Sequence, residues 1–325
     1  MKKVLTIFVV VVMALALNGT AMAVITVDTV AVGNAGNTAD TDHGGYGAVD
    51  YAYNMGKYEV TAGQYTAFLN AVAKTDTYGL YGNDMNYSSS GCGIARTGVS
   101  GAYSYSAASA DFPVNNPSWG DAARFCNWMA NGQPVGAQTS YTTEDGSYAL
   151  NGAITITELM TVVRKANATW VIPTENEWYK AAYYDVENSL YYNYATGSDT
   201  KPSNTLVDPD PGNNANINLY PGTPLTLVGE FENSDSPYGT FDQTGNVSEW
   251  TEAVYDEDER VKRGGSRWNV PPGYLENYDI DCGTNHSKPT TDYYDDGFRI
   301  AQVPEPATLC LLGLGGLLLR RRKSA

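Results

Sequence analysis

The 325-residue sequence carries 20 lysine and arginine residues against 36 aspartate and glutamate residues, which gives a formal net charge of −16. Because nucleic acids and anionic lipid surfaces are bound by clustered basic side chains, this balance argues against both as partners and favours cations. Six tryptophans and a hydrophobic content of 42% indicate a folded core for most of the chain.

Residues 1–23 are predicted to be a secretory signal peptide. Two lysines precede an apolar stretch, and the small-residue pattern Ala-Met-Ala at 21–23 is typical of a site that signal peptidase cleaves during export. A membrane anchor is the alternative, but the apolar stretch is shorter than the roughly 20 residues that a spanning helix needs. The mature chain is therefore expected to begin near Val24, with residues 24–50 as a lead-in segment.

The first regular elements are predicted from residue 51 onwards. Residues 51–61 are rich in Tyr and Val and predict a β-strand, and the apolar spacing that follows predicts a helix with Thr61 as its N-cap. Residues 75–109 are rich in Gly, Ser, Tyr and Asn and show no strong periodicity. This segment is predicted to be an extended surface insertion.

Two further helices are predicted downstream. One begins at Ser118 and stops at the Asn-Gly pair 131–132; the other begins at Thr174, which forms an S/T-x-x-E capping box with Glu177. Residues 201–224 are rich in Pro, Asn and Gly and are predicted to be a loop. Strands, short helices and long loops in mixed order indicate an α+β fold.

The C-terminal segment, residues 303–325, looks like a PEP-CTERM sorting tail. It begins with the sequence VPEP at 303–306, continues with an apolar run of 13 residues and ends in a basic cluster at 320–323. The resemblance implies recognition by an exosortase, transient membrane association through the tail, and release to the cell surface or the extracellular matrix. Removal of both ends would leave 14 basic and 35 acidic residues, a net charge of −21.

Six motifs occur in order between residues 51 and 301. They are KYEVTAGQYTAFLNAV, FPVNNPSWGDAARFCNWM, IPTENEWYKAAYY, SPYGTFDQTGNVSEW, RVKRGGS and DDGFRIA. Together they resemble the formylglycine-generating enzyme (sulfatase-modifying factor) family. The resemblance implies one domain over residues 51–302 with that family's α+β fold, a C-type-lectin-like variant that is rich in loops, short helices and small antiparallel sheets.

The oxidase of that family oxidises a substrate cysteine to formylglycine with a copper ion held by a Cys-x-x-x-x-Cys pair that starts three residues after the GGS turn. The matching positions here are Asn269 and Tyr274, and Cys282 is the only cysteine between Gly264 and the tail. Neither an amide nor a phenol replaces a thiolate as a Cu(I) ligand. Copper and formylglycine generation are therefore not expected.

A related branch of the fold holds iron with three histidines, but this chain has only His43 and His286. The resemblance also matches Cys282 to a structural cysteine whose partner corresponds to Cys126. A Cys126–Cys282 disulfide is thus predicted in an oxidising compartment, and the alternative is that Cys126 is a buried thiol on a helix face. Cys92 is left without an assigned partner.

Calcium is the metal that the resemblance favours. A family turn equivalent to residues 241–247 wraps Ca²⁺ with a side-chain oxygen and backbone carbonyls, and a second family site begins at an Asn-Ile pair, although its later Asp has no counterpart here. The matching residues are Asp242, Gln243, Gly245 and Val247 for the first site and Asn216 and Ile217 for the second. A solvated β-turn is the alternative for the first site. The acidic clusters at 255–259 and 292–296 lack a ligand pattern and are predicted to be solvated surface.

These observations favour an exported, non-catalytic binding or matrix protein. Trp268, Asn269 and Tyr274 replace the thiol site with groups that suit a carbohydrate or protein ligand, although such residues also occur as core or loop filler. An alternative function is a divergent oxidoreductase of the family that acts on an exported protein. A third is a purely structural component of an extracellular polysaccharide matrix.

Overall fold

The computed structural model describes residues 24–87, 91–217, 224–267 and 285–304. Within them, two four-stranded sheets, two hairpins and four α-helices alternate with long loops. This is a mixed α+β fold, as the sequence predicts. In the same residues, no helix combines the length and the apolar character needed to cross a membrane.

The first sheet joins the two ends of the domain. Its strands are β1 (Thr29–Val32), β2 (Tyr53–Gly56), β12 (Ala301–Gln302) and β5 (Trp170–Val171), paired antiparallel in that order. Residues 24–50 therefore contribute a strand to this sheet. The last strand, β12, lies between β2 and β5 and is bonded on both sides.

The second sheet carries the candidate site. Its order is β10 (Asn285–Ser287), β9 (Arg260–Arg263), β8 (Ser248–Val254) and β11 (Asp296–Gly297). Strands β8 to β10 are antiparallel, whereas β11 pairs with β8 in parallel. The small hairpin β6 (Tyr184–Asp185) and β7 (Leu190–Tyr191) lies outside both sheets.

Local capping signals fix where the helices begin. The helices are α1 (Ala62–Val72), α2 (Trp119–Ala130), α3 (Ile156–Met160) and α4 (Glu175–Tyr183). Thr61, Ser118 and Thr174 are the N-caps of α1, α2 and α4, and each forms a capping box with the residue three positions on. The three predicted helices and their starts are confirmed, and the short α3 was not predicted.

The prediction of an extended surface insertion over residues 75–109 is wrong. This segment forms a 3₁₀ helix (Asn83–Asn86) and a hairpin of β3 (Ile94–Thr97) with β4 (Ser104–Ala107). Leu80, Met85 and other apolar residues of the segment are buried in the core. They are isolated among turn residues, so they produce no periodic pattern even though each packs inward.

An aromatic cluster between α1 and α2 forms the centre of the core. The ring centroids of Phe68 and Phe125 lie 5.4 Å apart, and Phe125 also packs edge-on against Phe298 at 5.5 Å. Edge-to-face pairs at this spacing are favourable beyond the area that they bury. Because Phe298 belongs to the final GFR motif, this packing fixes the C-terminal side of the candidate site.

Candidate functional site

The turn after β9 opens the candidate site. Gly264 and Gly265 have φ values of +89° and +64°, and a Cβ at Gly264 would lie 2.9 Å from the Gln243 carbonyl oxygen. Only glycine fits that combination of positive φ and close approach. The hydroxyl of Ser266 donates to Asp295 Oδ2 at 3.0 Å, so the turn is tied to the segment that precedes β11.

Arg267 extends this connection across the site. Its backbone N–H donates to the Asn246 carbonyl oxygen at 3.1 Å, and its Nη2 donates to the Tyr294 carbonyl oxygen at 3.3 Å. Strand β10 pairs antiparallel with β9, with Asn285 opposite Lys262, so the residues that flank the segment between the GGS turn and β10 lie close to each other. The predicted ligand surface of Trp268, Asn269 and Tyr274 lies on that segment, outside the described residues, as does Cys282.

A polar cleft of about 420 Å³ lies beside β10, which follows this segment in the chain. His286 stacks on Tyr255 with ring centroids 3.7 Å apart and 5° between the planes, and its Nδ1 is hydrogen-bonded to the Glu259 carboxylate. Tyr293 and Asn285 also line the cleft. Aromatic, amide and charged side chains therefore lie near the start of β10, where the predicted binding segment ends.

A buried ion pair lies beside the cleft. Lys262 Nζ lies 2.5 Å from Asp296 Oδ1, and both side chains are almost completely enclosed. Burial raises the pKa of Asp296 to about 7, although the Lys262 ammonium opposes this shift. The prediction that residues 292–296 are all solvated is thus wrong for Asp296, because β11 inserts beside β8. The cluster at 255–259 is at least partly exposed throughout.

The turn that the resemblance assigns to calcium has an unusual backbone. Asp242, Gly245 and Asn246 all have positive φ values, of 62°, 93° and 58°. A Cβ at Gly245 would lie 2.4 Å from the Asn216 carbonyl oxygen, so this position requires glycine. The backbone N–H of Asn246 donates to that same oxygen at 2.9 Å. The two predicted calcium segments are therefore adjacent in the fold.

The hydrogen bonds of the side chains at the turn limit which oxygen atoms a metal ion could use. The Gln243 side chain is hydrogen-bonded to Trp178 and Thr240, which leaves only its backbone carbonyl for a metal ion. Asp242 Oδ2 accepts a hydrogen bond from the Gly229 N–H at 2.6 Å. Asn246 Nδ2 donates to Glu59 Oε1 at 3.2 Å. Glu59, which precedes α1, thus joins the site from the opposite side.

Glu59 and Asp242 form a pair of enclosed carboxyl groups. Burial raises the pKa of Glu59 well above its ordinary value, and the neighbouring Asp242 carboxylate raises that pKa further. Burial also raises the pKa of Asp242 to about 6. Glu59 Oε2 is buried and has no hydrogen-bond partner. In the absence of a cation, one member of such a pair favours the protonated state.

These residues fit a calcium ion. A buried acceptor without a partner next to a second carboxylate offers the hard oxygen donors that Ca²⁺ prefers. Among the described residues, no group of three or more His, Cys, Asp or Glu side chains is arranged for one metal ion. A cation at the turn would therefore also need carbonyl and amide oxygens. Glu59 additionally lines a cleft of about 470 Å³ that contains Asp28 and Asp111, an acidic approach from solvent.

Residues 17–303 of the sequence match the sulfatase-modifying factor enzyme 1-like domain. The chain belongs to this family. A PEP-CTERM protein-sorting motif matches residues 302–323, so the family domain runs directly into a sorting tail, which indicates export. No curated protein matches the sequence significantly.

Solved structures agree with the family at the level of the fold. CarF superposes with a TM-score of 0.52 at 20% identity, covering 86% of this chain and 99% of CarF. Treponema denticola variable protein 1 superposes with a TM-score of 0.51 at 19% identity, covering 85% and 95%. PvdO from Pseudomonas aeruginosa gives 0.44 at 15% identity, covering 86% and 92%. The first two confirm the fold that the sequence predicts for this member of the sulfatase-modifying factor family.

Sequence reasoning missed two residues at the family's turn. Glu59 lies within the first motif, KYEVT, which predicts the fold but does not indicate a ligand. Arg299 lies in the final GFR motif, and its guanidinium makes two hydrogen bonds with Glu249, at 2.5 and 2.6 Å. The sequence offered one signal for Glu59, an acidic side chain just before the N-cap of the first helix. Its partner Asp242 is too distant in sequence to be assigned from local pattern.

Proposed function

We propose that this protein is an exported member of the sulfatase-modifying factor family that binds a ligand and does not generate formylglycine. The observation that carries the proposal is the cysteine count, because Cys282 is the only thiol between Gly264 and the sorting tail. A two-thiol copper site cannot be built from one cysteine. Asn269 and Tyr274, at the positions of the family's pair, lack the soft donors that Cu(I) requires.

The other thiols of the mature domain do not replace the missing one. Cys92 and Cys126 are both fully buried. Burial raises the pKa of the Cys92 thiol, and it raises the pKa of the Cys126 thiol well above its ordinary value. Because the thiolate is the metal ligand and the nucleophile, neither supports copper chemistry at neutral pH. The Cys126–Cys282 disulfide stays a prediction, and it would consume the remaining thiol of the site.

The rim of the site supports a carbohydrate or protein as the ligand. Tyr293 is 51% exposed, and the stacked pair of Tyr255 and His286 presents a second flat aromatic surface. Trp268 and Tyr274 would contribute two further aromatic side chains to the proposed surface. Flat apolar faces that alternate with amides and hydroxyls suit sugar rings and peptide segments.

Calcium is proposed as a structural ion of this protein. Glu59 and Asp242 would hold it through carboxylate oxygens, together with the carbonyls of Gln243, Gly245 and Val247, and Asn216-Ile217 would border the site. Bound there, Ca²⁺ would neutralise two enclosed carboxylates and stabilise the positive-φ turn that contacts Arg267 through the Asn246 carbonyl. The ion would thereby support the start of the binding segment without taking part in a reaction.

The sorting tail supports processing by an exosortase during export. We propose that the tail holds the protein at the membrane only transiently and that processing releases the domain to the cell surface or the extracellular matrix. A mature domain with a net charge of −21 suits a hydrated, cation-containing matrix. Its function there would be to bind a matrix glycan or another exported protein.

Replacing Trp268 and Tyr274 with alanine is expected to abolish most of the ligand binding of the mature domain. The mature domain carrying Trp268→Ala and Tyr274→Ala should bind at least about tenfold more weakly, because buried aromatic anchors dominate the energies of such interfaces. Binding is measured on a glycan array and by pull-down of exported proteins. Tyr141→Ala is the matched control, since Tyr141 is 85% exposed on a different loop. Unchanged binding by the double variant to every ligand detected would contradict the proposed surface.

A further inference from the structure

The sorting motif begins inside the folded domain. The motif match starts at Gln302, which is the second residue of β12. Ala301 is fully buried, and Ala301 and Gln302 pair with β2 on one side and with β5 on the other. The N–H of Val303 still donates to the Thr169 carbonyl oxygen at 2.9 Å. No linker therefore separates the sheet from the motif.

This arrangement limits how a processing enzyme can approach. A strand bonded on both sides cannot be peeled away without breaking the sheet. Three residues span at most about 10 Å, so Glu305 of the VPEP sequence stays within that distance of Gln302. An enzyme that grips the motif must consequently contact the domain surface around it.

Two clefts flank the point where the chain leaves the sheet. One has a volume of about 500 Å³ and includes the small residues Ala31 and Ala52; the other has a volume of about 300 Å³ and includes Ala166. Val303 and Pro304 line both clefts. All three alanines are exposed, so their small side chains leave space beside the first residues of the motif.

We propose that these two clefts are a docking surface for the exosortase, which recognises the sorting motif together with the folded sheet beside it. The inference rests on the export and tail processing stated above and adds the surface that they require. The first cleft is largely apolar, with Val32, Tyr53 and Val303 among its lining residues, so the partner is expected to insert apolar side chains there. The small exposed side chains of Ala31 and Ala52 leave room for that insertion.

Filling the clefts tests the proposal. The full chain is expressed in a host that contains an exosortase, and tail removal is followed by mass spectrometry. Ala52→Arg and Ala166→Arg should each slow processing by about tenfold or more, equivalent to ~1.4 kcal/mol or more, because a long side chain fills the cleft that the enzyme has to enter. Ala102→Arg, on the exposed β3–β4 turn, is the matched control and should be processed at the normal rate. Normal rates for both cleft variants would overturn the proposal.

A second variant removes the concern that the substitutions disturb the sheet. Six Gly-Ser residues inserted between Gln302 and Val303 leave the motif intact but move it away from the clefts. Processing should again slow; an unchanged or faster rate would show that the motif alone is read and would overturn the docking surface. A wild-type chain that stays unprocessed in the same host would instead contradict the proposed processing itself, so the two failures are distinguishable.

Discussion

Replacing Arg299 with leucine is expected to lower the free energy of unfolding by about 3–5 kcal/mol, a large part of the ~5–15 kcal/mol that stabilises a typical domain. The Arg299 guanidinium and the Glu249 carboxylate are both fully enclosed. Arg299 also donates to the carbonyl oxygens of Gly56 at 2.9 Å and Phe241 at 2.8 Å. Its loss would leave the buried Glu249 charge without a cation, with the Trp178 indole N–H as a remaining donor at 2.7 Å, and would remove a donor from two buried carbonyls. The measurement is urea unfolding followed by tryptophan fluorescence.

Arg96→Leu is the control for this substitution. Arg96 also contacts an acidic residue, Asp76, but at 3.5 Å, and its partly exposed side chain packs over the rings of two tyrosines, so its loss should cost about 1–2 kcal/mol. The double variant Arg299→Leu with Glu249→Leu should recover part of the loss, because no uncompensated charge then remains. A cost for Arg299→Leu no larger than that for Arg96→Leu would contradict the assigned role of the buried pair.

Withdrawal of calcium is expected to lower the melting temperature of the mature domain by about 5 °C at pH 7.5. An ion present at one hundred times its dissociation constant contributes about 2.7 kcal/mol to the folded state. Burial raises the pKa of Asp242 to about 6 and the pKa of Glu59 above its ordinary value. Protons therefore compete with the ion, and the effect of calcium should fall as the pH drops below about 6. Scanning calorimetry with and without a chelator measures it.

Without calcium, the two carboxyl groups are expected to make the protein less stable as the pH rises. Because the folded state raises both pKa values, it binds these protons more tightly than the unfolded chain does. The contribution of Asp242 to stability is complete below about pH 4 and is lost as the pH rises through about 6, and that of Glu59 is lost as the pH rises through its own raised pKa. Glu59→Gln and Asp242→Asn should each remove most of the calcium effect, whereas Asp235→Asn, at an exposed position, should not. An equal response to calcium in all three variants would exclude this site.

The parts of this structure that depend on local sequence were predictable. Thr61, Ser118 and Thr174 each satisfy backbone donors within three residues, so their helices could be placed from the sequence. The contact of Glu59 with Asp242 depends on how distant segments pack. The same holds for Asp296, which looked solvated because its neighbours are exposed tyrosines and aspartates. Long-range packing, which the local pattern does not contain, decided both cases.

The absence of the second thiol is the main reason to expect that this protein does not generate formylglycine. The mature domain is incubated with copper, oxygen and a sulfatase-derived peptide that contains the cysteine to be oxidised, and an active family oxidase serves as the positive control. Peptide mass spectrometry then measures conversion of that cysteine to formylglycine. No conversion above the enzyme-free background is expected. Copper-dependent turnover by this protein would contradict it and would establish a catalytic site that does not use the family's thiol pair.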